Sequence, residues 1–261
     1  MIKEFFGWGG YERDPDGFFS WQHLLFVSLL MVVMALCAVY FGRKNRALCD
    51  KDKNRVLVFA AFLIDGIELL KIVFLCIRAA DPLLWLYELP LFLCSIQLIA
   101  IPIAAFSHGK LKEAALDFVL IFGILGAVLG TYGAGNNYGS YPVLGFDNMV
   151  SGVTHSIAGF SSLYIAISGM ASMKKKNAPF TFIILLSFCV LAFIANALVD
   201  YNYMFLRRGD GTPYDIIYNM VGGSAVLYPI AVITLFLLYI LAFYGIYFLI
   251  QSRRAKKSNT L

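Results

Sequence analysis

Charge is scarce in this chain: Asp, Glu, Lys and Arg make up 14% of its 261 residues, against about 25% in soluble domains. With 60% of the residues hydrophobic, too little polar surface remains to cover a water-facing protein, which excludes an ordinary soluble enzyme. An aromatic content of 16% and a net charge of only +5 exclude a disordered chain as well. Cys37, Cys49, Cys76, Cys94 and Cys189 are scattered, without a C-x-x-C pair or a disulfide framework. No phosphate-binding loop, metal-ligand cluster or dinucleotide fingerprint is present, so the sequence predicts no cofactor, no metal and no nucleic-acid partner. The absence of an N-x-[ST] sequon fits a bacterial plasma membrane and leaves an internal eukaryotic one open.

What the chain does have is apolar runs of about 20 residues, separated by spacers too short to fold alone. They predict a single all-α integral membrane domain over 1–261, a polytopic bundle of seven transmembrane helices. The spans fall roughly at 20–41, 56–80, 86–107, 113–132, 148–170, 179–201 and 224–250. The first run does not read as a cleavable signal peptide, because Glu12, Asp14 and Asp16 precede it and no small-residue cleavage site follows it. Basic residues concentrate in alternate connections: Arg43 to Arg55, then Lys110 and Lys112, then Lys174 to Lys176, then Arg253 to Lys257. That asymmetry predicts the N-terminus outside and the C-terminus in the cytoplasm, with the tail as a positive-inside anchor.

With this topology the polar residues within the spans become informative, because a charge or imidazole in hydrocarbon is costly unless it faces protein or water. They are His23; Asp65, Glu68 and Lys71; Cys94 and Gln97; Asp117; His155; Asn196 and Asp200. Cys94 and His155 both lie about 10 to 12 Å below the outer surface, counting helical rise from the outer end of each span. Asp65, Glu68 and Lys71 are spaced i, i+3, i+6 and share one helix face. Asp65 and Lys71 fit an ion cluster that fixes helix packing as well as any functional role. Asp117 sits near an inner span end, where a side chain can snorkel.

A thiol and an imidazole at one depth suit nucleophilic acyl chemistry, in which imidazole takes the thiol proton and thiolate attacks an ester. An inert buried cysteine is the plainer alternative on spacing alone. Pro90 and Pro102 flank Cys94 and free carbonyls that membranes tolerate only beside polar groups or water, which points to a cavity. The turn-rich segment 131–148 reads as a lid or as a plain connector. Gly126 and Gly130 form a G-x-x-x-G suited to close helix packing.

The run Leu-Pro-Leu-Phe-Leu-Cys (89–94), His155, and Asn196 followed by Asn-Tyr-Met-Phe-Leu (202–206) resemble the YwaF-like bacterial membrane proteins and their eukaryotic relative, transmembrane protein 164. The resemblance extends from Trp21-Gln22-His23 to the last span. It implies a phospholipid acyltransferase with Cys94 as nucleophile and His155 as base, acting on membrane phospholipid and lysophospholipid. Phe92 stands where the family often has His, which implies that it has no catalytic part.

The mechanism expected from these readings is a transacylase passing through a thioester in the outer half of the bilayer. Asn196 is the expected oxyanion donor and Glu68 the expected orienter of His155. Two alternatives remain at this stage. One is a seven-helix transporter or sensor with an outward-facing polar cavity, using Asp65, Glu68 and Lys71 as its ion path. The other is a lipid hydrolase built on the same Cys-His pair.

Overall fold

The computed structural model describes residues 2–171 and 173–258, with the side chains of 254–258 excepted. Side chains of the basic tail at Arg254, Lys256 and Lys257 therefore lie outside the described residues. Every element among the described residues is helical, and the chain divides into two compact units, Met1–Ala171 and Ser172–Leu261.

The first unit comprises α1 (Ile2–Phe6), α2 (Trp21–Asn45), α3 (Asp50–Ala79), α4 (Gln97–Phe106), α5 (Gly109–Tyr132), α6 (Gly135–Ser140) and α7 (Phe146–Ser168). α5 is its centre, buried on almost every side from Ala114 to Gly123. Small residues let its neighbours approach, since without a hydrophobic drive in lipid helix association depends on close backbone contact. A side chain at Gly123 would strike Ala158 and Ser162 of α7, and one at Gly159 would strike Ala127 of α5 and Met34 of α2. The Ser162 hydroxyl donates to the Leu120 carbonyl at 2.7 Å across the same contact. α2 turns His23, Val27, Met34, Ala38, Gly42 and Asn45 inward and leaves Leu25, Leu29, Val32, Val33 and Leu36 exposed, the pattern of a lipid-facing helix.

The second unit comprises α8 (Ala178–Val199), α9 (Tyr214–Met220) and α10 (Leu227–Ser258). Pro179 opens α8, where its missing N–H costs nothing, and the Thr181 and Tyr244 hydroxyls meet at 3.3 Å between α8 and α10.

The protein is an integral membrane protein: among the described residues five helical segments, Trp21–Asn45, Gly109–Ser140, Phe146–Ser168, Lys175–Val199 and Leu227–Arg253, are long and apolar enough to cross a membrane. Seven uniform spans were expected, and two of them differ. The second becomes α3, which has the length but carries Asp65, Glu68 and Lys71 in its middle. The third is not one helix: a 3-10 turn at Leu84–Tyr87 leads into non-helical backbone, and regular helix resumes only at α4, a ten-residue apolar helix. Pro90 is the physical reason, because it lacks an N–H and bars its predecessor from helical geometry. Backbone of this kind survives at membrane depth only inside protein, and here it packs against α3 and α5.

The segment 131–148 is a packed connector. Tyr138 and Val143 are buried in it beside Val27 of α2, and Tyr138 lies against the His23 ring at 4.0 Å between centroids. His23 in turn holds the end of α5, with Nε2 3.1 Å from the Thr131 carbonyl. Asn148 donates to the carbonyls of Tyr141 and Pro142 at 3.0 and 3.1 Å. The Asp16 carboxylate accepts from Val143 N–H at 2.9 Å.

Candidate functional site

The break in the third span puts Cys94 on an irregular turn just before the N-terminus of α4. Ser95 shapes that turn, its hydroxyl accepting from Phe92 N–H at 3.0 Å and donating to the Phe92 carbonyl at 3.1 Å. A helical bond then forms from Ile96 N–H to Phe92 O at 3.0 Å, and the chain enters α4. The backbone N–H groups of Cys94 and Ser95 lie near the Cys94 sulfur.

His155 projects from the N-terminal half of α7, and its imidazole lies beside the Cys94 thiol, close enough for the two groups to interact. Its Nδ1 lies 2.7 Å from the Ser151 carbonyl one turn earlier, with the Ser151 hydroxyl farther away at 3.5 Å. A carbonyl only accepts, so Nδ1 carries the hydrogen and Nε2 is left as an acceptor. Both side chains are partly buried.

The floor of the pair is α5. A Cβ at Gly130 would overlap the His155 ring, and one at Gly126 would come within 3.2 Å of Cys94 Cβ. The two glycines are one helical turn apart and seat the two reactive groups one turn apart. Their spacing predicted close helix packing; what they admit is the side chains of the pair.

Glu68 and Lys71 of α3 form the i, i+3 pair that their spacing predicted. Lys71 Nζ lies 2.6 Å from Glu68 Oε1 and 2.9 Å from Glu88 Oε2, bridging α3 to the segment that carries Cys94. Glu68 is near enough to act on His155 through its charge, yet the partner of Nδ1 is the Ser151 carbonyl. The expectation that Glu68 orients the imidazole is therefore corrected: Glu68 is turned toward an ammonium partner, and an i−4 carbonyl on the same helix needs no second element. Asp65 has a buried Oδ1 without a hydrogen-bond partner. Asp117, expected to snorkel, is fully buried in α5.

Asn196 lies at the end of α8 in the second unit, 2% exposed, and both ends of its amide bind one peptide: Nδ2 donates to Tyr203 O at 3.0 Å and Oδ1 accepts from Tyr203 N–H at 2.5 Å. Asn202 repeats the device, donating to Arg208 O at 2.8 Å and accepting from Arg207 N–H at 2.9 Å. These bonds hold Met204 and Phe205 at φ 55° and 54°, strained for non-glycine residues. The expected oxyanion donor is thus occupied in building a turn, and the Asn-Tyr-Met-Phe-Leu run is that turn.

On the first unit's N-terminal side, Arg78 binds both carboxylate oxygens of Asp147, at 2.7 and 2.8 Å, and donates to the Phe6 carbonyl at 3.0 Å. Tyr11 donates to Asp147 Oδ2 at 2.6 Å, and its phenol is pushed up to about 12, by burial first and then by the bond to the carboxylate and its charge.

Sequence reasoning missed the part of five residues here. Glu88 and the Ser151 carbonyl gave no signal, because neither a charge just before a proline nor a backbone atom announces its partner. Gly126 and Gly130 were visible only as a packing motif, and Gln97 only as a polar residue within a span. Among the described residues no three His, Cys, Asp or Glu side chains form a group able to hold a metal ion.

In comparisons with known proteins, the sequence model of the TMEM164 family matches residues 18–249. No curated protein and no solved structure matches the chain.

Proposed function

The chain belongs to the TMEM164 family, and we propose that it is an intramembrane phospholipid acyltransferase. It takes an acyl chain from a phospholipid ester and passes it to a lysophospholipid through a thioester on Cys94. The single observation that carries this reading is the closeness of the His155 imidazole to the Cys94 thiol on irregular backbone before α4, both against α5, with Nδ1 of the imidazole already fixed by Ser151. That arrangement is what a general base beside a thiol nucleophile requires.

His155 Nε2 takes the thiol proton as sulfur attacks the ester carbonyl carbon. The tetrahedral intermediate collapses with loss of the glycerol oxygen, which takes the proton back from the imidazolium and leaves as lysophospholipid. The hydroxyl of a second lysophospholipid then attacks the thioester, with His155 as base again, and thiol returns. Apolar surroundings suit acyl chains and restrict competing water. The basic residues of alternate connections support an orientation with the N-terminus outside and chemistry in the outer half of the bilayer, and the missing N-x-[ST] sequon fits a bacterial plasma membrane.

Intact-protein mass spectrometry tests the reading, on the native chain, Cys94→Ala and His155→Ala incubated with labelled phospholipid. A hydroxylamine-sensitive acyl adduct requiring both residues, followed by chain transfer to added lysophospholipid, is the expected result. Free fatty acid as the sole product would assign a hydrolase. Product formation independent of Cys94 would end the catalytic reading, and the Glu68–Lys71–Glu88 cluster would then be tested for transport.

A further inference from the structure

Gln97 is the first residue of α4 and is fully buried, yet neither Nε2 nor Oε1 of its amide has a hydrogen-bond partner. Buried amides are nearly always bonded, so a completely unsatisfied one in a helix calls for an explanation. The other inward residues of α4 are Ala100, Ile101, Ala104 and Ala105, all apolar, which leaves Gln97 as the polar end of an apolar stripe. That end is the one next to Cys94. Gln97 N–H donates to the Cys94 carbonyl at 3.3 Å, an i to i−3 bond, which brings side chains three apart onto the same side of the turn. The N–H groups of Cys94 and Ser95 lie at the sulfur and serve no backbone acceptor. The start of α4 adds the positive end of a helix dipole.

We infer that the backbone N–H groups of Cys94 and Ser95, together with the side-chain amide of Gln97, form the carbonyl-binding site that holds the oxyanion of the reacting ester. The inference rests on the acyltransferase reading and supplies the group that Asn196 was expected to provide. When sulfur attacks, the carbonyl π pair moves onto oxygen while the thiol proton moves to His155 Nε2. The oxygen then carries a full charge, and two peptide N–H groups and Gln97 Nε2–H donate to it. Collapse of the intermediate restores the C=O and expels the glycerol oxygen, so the amide is needed most in the transition state. Donors fixed before the reaction stabilise the developing charge without rearranging, and loss of one such donor lowers turnover by about 10²- to 10³-fold.

The experiment uses the full chain in phosphatidylcholine vesicles and two probes of Cys94. A long-chain alkyl trifluoromethyl ketone adds sulfur to a carbonyl and generates an oxyanion. Iodoacetamide alkylates sulfur at a saturated carbon and generates none there. In Gln97→Leu the ketone adduct should weaken by about 10²- to 10³-fold, with alkylation of Cys94 at the native rate, and Gln97→Glu should weaken the adduct at least as much. A Gln97→Leu chain that takes the ketone as the native chain does would overturn the inference while leaving the acyltransferase reading intact. Equal slowing of both probes would make Gln97 a positioning residue for the thiol and would also overturn it. A native chain inert to both ketone and labelled phospholipid would remove the parent reading and this inference together.

Discussion

Gly130 of α5 lies so close to His155 of α7 that a single methyl group at position 130 would occupy the space of the imidazole ring. Gly130→Ala should therefore displace the base and lower acylation of Cys94 by about 10²- to 10⁴-fold, the usual contribution of a positioned general base. Gly126→Ala meets Cys94 Cβ at 3.2 Å and Cα at 3.4 Å, a much milder contact, and should cost much less. Single-turnover acylation compares the two, and a Gly130→Ala chain acylating at the native rate would show that the glycine does not seat the base.

Lys71 joins two carboxylates, and its side chain is 15% exposed. Lys71→Met leaves Glu68 and Glu88 unpaired and should lower stability by about 3 kcal/mol. Adding Glu68→Gln and Glu88→Gln to the same chain should restore most of the loss. Thermal unfolding in detergent checks this, and a triple variant no more stable than Lys71→Met would show that charge is not the cause.

Asn196→Ala removes both bonds to the Tyr203 peptide and releases the strained turn at Met204 and Phe205. The expected cost is about 2 kcal/mol of stability, with the rate per folded molecule unchanged. A rate loss of the size predicted for Gln97 with stability intact would return Asn196 to the catalytic role.

Tyr11 should ionise near pH 12, well above its ordinary value of 10. A raised folded value means that the unfolded chain gives up its phenolic proton first. The contribution of Tyr11 to stability is thus complete below pH 10 and disappears as pH rises through 12. Phenolate absorbance of the native chain minus that of Tyr11→Phe isolates the group, and a midpoint at pH 10 would mean that the bond to Asp147 does not form in solution.

Much of the site was legible in the sequence because depth in a membrane is countable. Helical rise suggested Cys94 and His155 as partners, although the stretch before Cys94 is not a regular helix, and the i, i+3 spacing of Glu68 and Lys71 gave a pair that the structure has at 2.6 Å. The assignment of roles was less legible. Glu68 and Asn196 were chosen for their chemistry, and the structure supplies each with a partner that no spacing reveals: the ammonium of Lys71 for one and the Tyr203 peptide for the other. Gln97 had the right chemistry as well, but its missing partners become visible only when everything around it is known.

Composition and hydropathy by themselves determined that this is a helical membrane protein, and approximately where its long helices run, because the cost of burying charge and backbone in hydrocarbon acts on each segment independently. Tertiary structure decided that the backbone before α4 is not helical, that α5 presents two glycines to the thiol and imidazole, and that the Ser151 carbonyl holds Nδ1 of the imidazole. Those features depend on which helix faces meet and how closely, and a linear pattern with no partner specified carries no information about either.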